Sequence, residues 1–213
     1  LAYNGVSISR YMITIKDNYL EDVDHIRNLA LDCTKWSFNT DPNSGAGWRG
    51  IRSWNFRQLL SDDLKYLELI KLEQDIFDYV WEERNLSEWT YPKYVVDFLA
   101  NGAMIEPVIT SYFHQSPANT VDMLWDFWSD RFHRDYFPCA GVIYLNPDPP
   151  ANTGTSILDG RNNQFINTEN VYNRLIAYDG YKIHGLSGCF GDSIDTNRLT
   201  IVFFIHEKQF QLP

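Results

Sequence analysis

The hydrophobic pattern of the chain changes once, near residue 91. Before this point apolar residues recur at helical spacing, whereas after it short apolar or alternating runs are separated by Asn, Pro, Asp and Gly. Regularly spaced short runs with turn residues between them predict the strands of a β-sandwich or barrel. Helices that precede such strands pack on one face of the sheet, so the sequence predicts an α+β fold.

Six segments of the second half are predicted strands: residues 94–98, 121–127, 140–145, 155–158, 174–178 and 199–206. Two polar stretches between them, 147–154 and 159–173, are predicted loops, which would form either a rim around a site or plain solvated connections. We expect a single domain over residues 1–213, with an N-terminal support (1–92) and a β core (93–213).

The first half is predicted to hold one strand and two helices. Residues 7–15 alternate like a strand, and apolar residues recur at helical spacing over 23–33. Residues 34–50 are rich in Ser, Asn, Asp and Gly and are predicted to be a loop. A second helix is predicted from an N-cap at Ser61 to Arg84. Its buried side is expected to carry Leu67, Ile70, Phe77 and Trp81.

The composition excludes some partners. The chain has a formal net charge of −10, which repels phosphate backbones, so we expect no nucleic-acid partner. Three cysteines, Cys33, Cys139 and Cys189, are an odd number without paired spacing, which favours free thiols and a cytoplasmic protein. Apolar runs such as residues 201–205 are too short to cross a bilayer, so we expect no membrane partner.

A histidine and an aspartate two residues apart, His133 and Asp135, form the first part of a candidate metal site. On a strand, side chains at this spacing point to the same face and can share one ion. Arg134 between them would point away, and we assign it no catalytic role. The pair is also compatible with a solvated loop, because such spacings are frequent by chance.

A third candidate ligand, His184, follows the turn residues Asp179 and Gly180. A turn there can return the chain so that His184 lies opposite the first pair. Two histidines and one carboxylate form a facial triad, which leaves three positions of Fe(II) open for dioxygen and a bidentate co-substrate. A histidine considered alone is more often structural, so the surrounding sequence matters.

Four segments around these residues follow one another in order: residues 140–146 (AGVIYLN), 154–155 (GT), 173–179 (NRLIAYD) and 197–200 (NRLT). Together with the triad, this series resembles the 2-oxoglutarate and Fe(II)-dependent oxygenases, particularly the prolyl-hydroxylase-like branch. The resemblance covers about residues 121–205. The first strand and helix of the chain are also similar to the N-terminal support of that branch.

The resemblance implies a double-stranded β-helix, or jelly roll, and hydroxylase chemistry. His133, Asp135 and His184 match the iron ligands of the family. Fe(II), 2-oxoglutarate as co-substrate and O2 would then act together, with release of succinate and CO2 and hydroxylation of the substrate. The branch implies a peptidyl proline as the substrate, and a free amino acid or another small molecule is the alternative.

Three further residues are implied as the 2-oxoglutarate site. Arg198, 14 positions after His184, matches the basic residue that binds the distal carboxylate of 2-oxoglutarate. Thr200 lies on the same strand face and can add a hydroxyl donor, and Tyr144 matches a tyrosine whose hydroxyl reaches that carboxylate. Outside this context, the ordinary roles would be a surface ion pair for the arginine and core packing for the tyrosine.

The sequence departs from the family pattern at two places. Residues 153–154 are Thr-Gly where the family usually has Gly-Gly, and Phe204 stands where the nucleic-acid-dealkylating branch has a second arginine. The second departure disfavours that branch, in agreement with the net charge. Two other functions are compatible with the fold: a jelly-roll binding module without metal, and a cupin-like metalloenzyme that does not use 2-oxoglutarate.

Overall fold

The computed structural model describes residues 13–39, 50–84, 86, 106–120, 132–135, 137–160 and 162–208. In these residues the strands are β1 (Ile13–Lys16), β2 (Trp36–Asn39), β3 (Gly50–Asn55), β4 (Glu106–Ser116), β5 (Phe132–His133), β6 (Cys139–Tyr144), β7 (Thr155–Asp159), β8 (Gln164–Thr168), β9 (Leu175–Tyr178), β10 (His184–Leu186) and β11 (Arg198–Lys208). The α-helices are α1 (Val23–Leu31), α2 (Phe56–Asp62) and α3 (Leu67–Glu83).

The strands form two antiparallel sheets that pack on each other. The larger sheet has the order β1-β9-β6-β11-β4-β3-β2, and the smaller sheet has the order β5-β10-β7-β8. From β4 to β11 the chain passes repeatedly from one sheet to the other. This is the topology of a double-stranded β-helix, so the predicted fold class, an α+β jelly roll with N-terminal helices, is confirmed.

The two faces of the larger sheet have different partners, because successive side chains of a strand point to opposite faces. One face packs on the helices and includes Phe113, Ile143 and Phe203. The other face, called the inner face below, packs on the smaller sheet and includes Val142 and Tyr178. The helices therefore cover only the opposite face, and the inner face contacts the smaller sheet.

The predicted strands of the second half are confirmed where the structure describes them, as β6, β7, β9 and β11. Residues 7–12, 94–98 and 121–127 lie outside the described residues. The predicted loop 34–50 is wrong in part, since β2 occupies Trp36–Asn39 and pairs with β3. Likewise β8 lies inside the predicted loop 159–173. These edge strands have only four and five residues within polar stretches, which is too short for alternation to be recognised. Strands β3, β4 and β10 were not predicted either.

The N-terminal helix is confirmed and the second is corrected. Asp22 caps α1 by accepting from the backbone N–H of His25 at 3.0 Å. Ser61 is not an N-cap, because α2 already begins at Phe56 after a capping box in which Asn55 and Gln58 bond each other's backbone N–H. Ser61 instead donates to the Gln58 carbonyl at 2.7 Å. The predicted single helix is thus α2 followed by α3.

The buried face of α3 also differs from the prediction. Leu67 is 62% exposed, and Ile70, Phe77 and Trp81 are only partly buried against the core. The buried residues are Leu69, Leu72, Glu73, Ile76 and Val80. Both sets have helical spacing, so the period predicted the helix correctly while the contacts with the sheet decided which stripe is buried.

All three cysteines are free, as predicted. Cys33 and Cys139 are buried and Cys189 is half-buried. Burial raises the pKa of the Cys139 thiol to about 11, so this thiol is protonated at neutral pH. In the part of the chain that the structure describes, none of the helices combines the length and apolar character that a membrane span requires.

Candidate metal centre and co-substrate site

The structure brings the three predicted metal ligands together between the sheets. His184 on β10 is the register partner of His133 on β5. Asp135 follows β5, and its backbone N–H donates to the Gly180 carbonyl at 2.9 Å. Nε2 of His184 lies 3.0 Å from one carboxylate oxygen of Asp135, and Nε2 of His133 lies 3.4 Å from the other. One ligand atom from each residue falls within a 4.8 Å cluster, a spacing that could hold one metal ion.

The orientation of His184 is fixed from outside the cluster. Its Nδ1 lies 2.8 Å from the carbonyl oxygen of Lys182, and a carbonyl can only accept, so Nδ1 carries a proton and donates it to this carbonyl. Nε2 is therefore the ring nitrogen that faces Asp135 and would bind a metal, which is the arrangement found in metal-binding histidines. The ring packs on Tyr178 with centroids 4.7 Å apart, which holds it in place.

Asp135 is ionised in this setting. Burial alone would raise the pKa of its carboxyl, but hydrogen bonds and charge interactions with His133 and His184 together hold that pKa well below its usual range. Two imidazole nitrogens and a carboxylate oxygen are the donor set of a facial triad, which suits Fe(II). The residues present therefore fit the metal that the resemblance implies.

The cluster is open on one side. The His184 side chain is 5% exposed and that of Asp135 12%, whereas that of His133 is 35% exposed. A ligand would therefore approach past His133. Arg134 is turned away from the cluster: its side chain is exposed and donates to the Tyr181 carbonyl at 3.0 Å.

Arg198 is buried on the inner face instead of forming a surface ion pair. It is 1% exposed, and its Nε donates to the Thr153 carbonyl at 2.8 Å and one terminal nitrogen to the Gly154 carbonyl at 3.4 Å. The guanidinium carbon lies 5.4 Å from the centre of the Tyr144 ring. A guanidinium has five N–H donors, so two bonds to carbonyls leave three donors for another acceptor.

Tyr144, on the adjacent strand β6, and Thr200, two residues after Arg198 on β11, are neighbours of this arginine. They are register partners in β6 and β11, and both are fully buried. The Tyr144 hydroxyl lies 2.9 Å from the hydroxyl of Thr155 and 3.3 Å from that of Thr168. Thr200 donates to the His114 carbonyl at a long 3.4 Å. The three predicted co-substrate residues thus occupy one end of the inner face.

Residues 153–154 are Thr-Gly where the family usually has Gly-Gly, and the second position, Gly154, has to be glycine for a steric reason. A Cβ at this position would lie 1.6 Å from the carbonyl oxygen of Thr168, so only glycine fits the close approach of the two backbones. Thr153 tolerates a side chain, and its hydroxyl donates to the Pro150 carbonyl at 2.6 Å. The chain therefore differs from the family pattern at Thr153, the one of the two positions where a side chain is accommodated.

Several residues around the site were not predicted from the sequence. Thr155 and Thr168 hold the Tyr144 hydroxyl, and Lys182 orients His184 through its backbone carbonyl. Alternation along the predicted strand 155–158 could have assigned Thr155 to the face of the site. A backbone carbonyl has no residue-type signature, so nothing in the sequence pointed to Lys182.

No protein-family model matches the sequence, and no curated protein matches it significantly. Solved structures do resemble it. The dioxygenase for auxin oxidation from Arabidopsis thaliana, in complex with 2-oxoglutarate, is 10% identical over 94% of this chain and 85% of that chain, with a TM-score of 0.55. A prolyl hydroxylase from Trichoplax adhaerens, in complex with a peptide fragment of hypoxia inducible factor, is 12% identical over 92% and 84%, with a TM-score of 0.52.

A prolyl-4-hydroxylase from Pseudomonas putida is 13% identical over 94% of this chain and 95% of that chain, with a TM-score of 0.50. The chain has the fold of the 2-oxoglutarate and Fe(II)-dependent oxygenases. At such low identity the likeness establishes the fold and not the substrate. The predicted resemblance to this oxygenase fold, including its prolyl-hydroxylase representatives, is confirmed at that level.

Proposed function

We propose that the protein is a 2-oxoglutarate-dependent Fe(II) dioxygenase that hydroxylates its substrate. The observation that carries the proposal is the convergence of His133, Asp135 and His184 within 4.8 Å between the two sheets. A buried arginine on the inner face, Arg198, supports it, because a dicarboxylate co-substrate needs a cation that is screened little by water. The oxygenase fold of the chain is consistent with both features.

The three ligands would hold Fe(II), which supplies the oxidation chemistry and offers its remaining positions to 2-oxoglutarate and O2. The carboxylate of Asp135 would neutralise part of the metal charge. The Lys182 carbonyl, by accepting from Nδ1 of His184, would keep Nε2 available as a donor to the metal.

The distal carboxylate of 2-oxoglutarate would be bound at the buried end of the inner face. Arg198 would supply charge-assisted hydrogen bonds, and the carbonyls that already hold its guanidinium would keep it oriented. Tyr144 can donate its proton to the carboxylate while Thr155 donates to its oxygen, because the Thr168 hydroxyl already donates to the Thr155 carbonyl at 2.9 Å. Thr200 would add a hydroxyl from the same strand as Arg198.

Each of the two candidate substrate classes is supported by one of the solved structures with this fold. The Trichoplax protein of this fold is in complex with a peptide fragment, which supports a peptidyl proline here. The Arabidopsis protein is named for auxin oxidation, which supports the small-molecule alternative. In both cases the substrate would enter past His133, the most exposed member of the triad.

An anaerobic titration tests the proposal. Purified protein is titrated with Fe(II) and then with 2-oxoglutarate, and the weak visible charge-transfer band of the chelate is followed. We expect a band that needs both the metal and the oxo acid, and succinate on admission of O2. No band from a folded protein would reject the proposal in favour of a metal-free binding module. Fe(II) binding without any response to 2-oxoglutarate would favour a cupin-like metalloenzyme.

A further inference from the structure

A second arginine, Arg52, lies on the inner face of the larger sheet. It is the register partner of His114 on β4, which in turn pairs with Thr200 on β11, so the three residues share one face. The guanidinium carbon of Arg52 lies 5.0 Å from the centre of the Tyr112 ring and 5.7 Å from that of Phe204. The guanidinium therefore packs against two aromatic rings on the inner face.

Arg52 and His184 of the metal centre pack on the same row of residues, which crosses adjacent strands of the larger sheet. Phe204, Ala140 and Tyr178 are register partners on the adjacent strands β11, β6 and β9. Arg52 packs on the first of these residues and His184 on the last. Neighbouring strands lie about 4.8 Å apart, so the guanidinium and the imidazole stand over points roughly 10 Å apart. Ala140, the smallest side chain of this row, lies between them.

The inner face is more open at this end than at the end that carries Arg198. Arg198 and Thr200 are buried, whereas Val202 and Phe204, which follow them on the same face of β11, are half-buried. The two arginines are thus distinct in position. One lies in the closed end proposed for the co-substrate, and the other lies toward the side from which a substrate would enter.

The electrostatics of Arg52 suit an anionic ligand. Burial lowers the pKa of its guanidinium to about 10, while Tyr112 and the carboxylate of Asp135 act in the opposite direction. The group therefore stays charged at neutral pH. In a chain with a net charge of −10, general electrostatics repel an anion, so attraction at this point has to be local. A guanidinium over aromatic rings also offers a planar fork to a carboxylate.

We propose that Arg52 is a specificity-determining residue that binds a carboxylate of the primary substrate. The inference rests on the proposed function, because it takes the reacting carbon to lie at the metal centre. Tyr112, Phe204 and Phe137, whose ring centre lies 5.4 Å from that of Phe204, would contact the apolar part of the substrate. The substrate would carry its carboxylate several bonds from the reacting carbon, on a small organic acid or on an acidic side chain of a peptide.

A structural role of Arg52 makes a different prediction. If the arginine served only to balance the charge of Asp135, added carboxylates would gain nothing from it. Phenylacetate and its neutral analogue phenylacetamide separate the two roles, because they share the ring and differ in the charge. The pentapeptide Ala-Ala-Glu-Ala-Ala with blocked ends, and its Gln counterpart, provide the same comparison for a peptide.

Binding of these four probes is measured by ligand-observed NMR on the full chain, saturated with Mn(II) and 2-oxoglutarate so that Arg198 is occupied, and again on the metal-free protein. We expect phenylacetate, the Glu peptide or both to bind at least tenfold more tightly than the neutral analogue. Arg52→Met should abolish this preference. Arg134→Met, which removes an exposed arginine that points away from the cluster, should leave it unchanged.

The proposal would be overturned if neither phenylacetate nor the Glu peptide binds more tightly than its neutral analogue. It would also be overturned if Arg52→Met keeps the same preference for the acid. The preference of the unaltered chain needs no variant, and Arg52→Gln, which also removes the charge, replaces Arg52→Met if that variant does not fold. Preference for the Glu peptide alone identifies a peptide as the source of the carboxylate. An Arg52-dependent preference in a protein that shows no charge-transfer band would support the anion site and reject the oxygenase.

Discussion

His184 lies directly opposite His133 across the strand pair β10 and β5, with ring centroids 4.6 Å apart. The described part of β5 contains two residues, so the geometry of the cluster depends on the register of a very short strand pair. A slip of one residue would turn an imidazole to the opposite face of the smaller sheet. Backbone hydrogen bonds therefore set the distance between the proposed ligands.

Asp135→Ala should abolish the Fe(II) and 2-oxoglutarate charge-transfer band and leave the protein folded. The carboxylate is a proposed ligand and is not part of the apolar core, so its loss removes a donor without opening a cavity. The band and far-UV circular dichroism report the two effects. Asp148→Ala, which removes an exposed acid, is the matched control. A normal band in Asp135→Ala would exclude this residue as a ligand.

Arg198→Met should weaken the binding of 2-oxoglutarate by roughly 10- to 100-fold, because charge-assisted contacts contribute on the order of 2 kcal/mol. It should also lower stability, since the Thr153 and Gly154 carbonyls lose their donors. Arg84→Met controls for the second effect: Arg84 donates to the Ala177 carbonyl at 3.0 Å and has no proposed part in the site. If both variants bind 2-oxoglutarate equally well, Arg198 has no part in holding it.

Gly154→Ala should lower the free energy of unfolding by at least about 2 kcal/mol, because the added methyl group meets a backbone oxygen and cannot be accommodated by a rotamer change. Gly160→Ala is the control, since a Cβ there meets only the flexible end of Lys182 at 3.8 Å. Urea unfolding measures both. Equal stability of the two variants would contradict the close approach of β7 and β8 at Gly154.

Glu73→Gln should stabilise the protein at neutral pH and have little effect in acid. Glu73 is buried, and burial raises the pKa of its carboxyl, although the charge of Arg57, 3.2 Å away, partly opposes this. Below about pH 4.5 the carboxyl is protonated in both states. As the pH rises, the unfolded state ionises first, so the native state loses stability until the folded pKa is passed. Glutamine does not titrate and avoids this loss.

The measurement is the difference in the free energy of unfolding between Glu73→Gln and the unaltered chain from pH 4 to pH 8. Glu83→Gln, at an exposed position of the same helix, should show no such trend. A glutamine variant that is less stable at pH 7 than at pH 4, relative to the unaltered chain, would show that the ion pair with Arg57 outweighs the cost of burial.

The sequence predicted β6, β9 and β11 because these neighbouring strands of the larger sheet are largely apolar on both faces. The segment that became β6 is buried along its whole length, and such runs are recognisable without knowledge of their partners. The sequence analysis missed β3, β4 and β10 as well as the edge strands β2 and β8. Strands β2, β8 and β10 have only three to five residues, too few to show a period, and the apolar residues of β4 (EPVITSYFHQS) are interrupted by polar ones. The buried stripe of α3 was wrong because the helical period fixes the spacing and not the phase.

For the site, the sequence by itself determined the residue types: a spaced histidine and aspartate, a distal histidine after a turn, and an arginine 14 positions further on. That these ligands converge was decided by the tertiary structure, because His133 and His184 lie on strands separated by β6 to β9 along the chain. Arg52 shows the same limit more strongly. Its position beside the metal centre results from pairing across β3, β4 and β11. Contacts between residues distant in sequence are created only when the strands pair, so a local pattern cannot contain them.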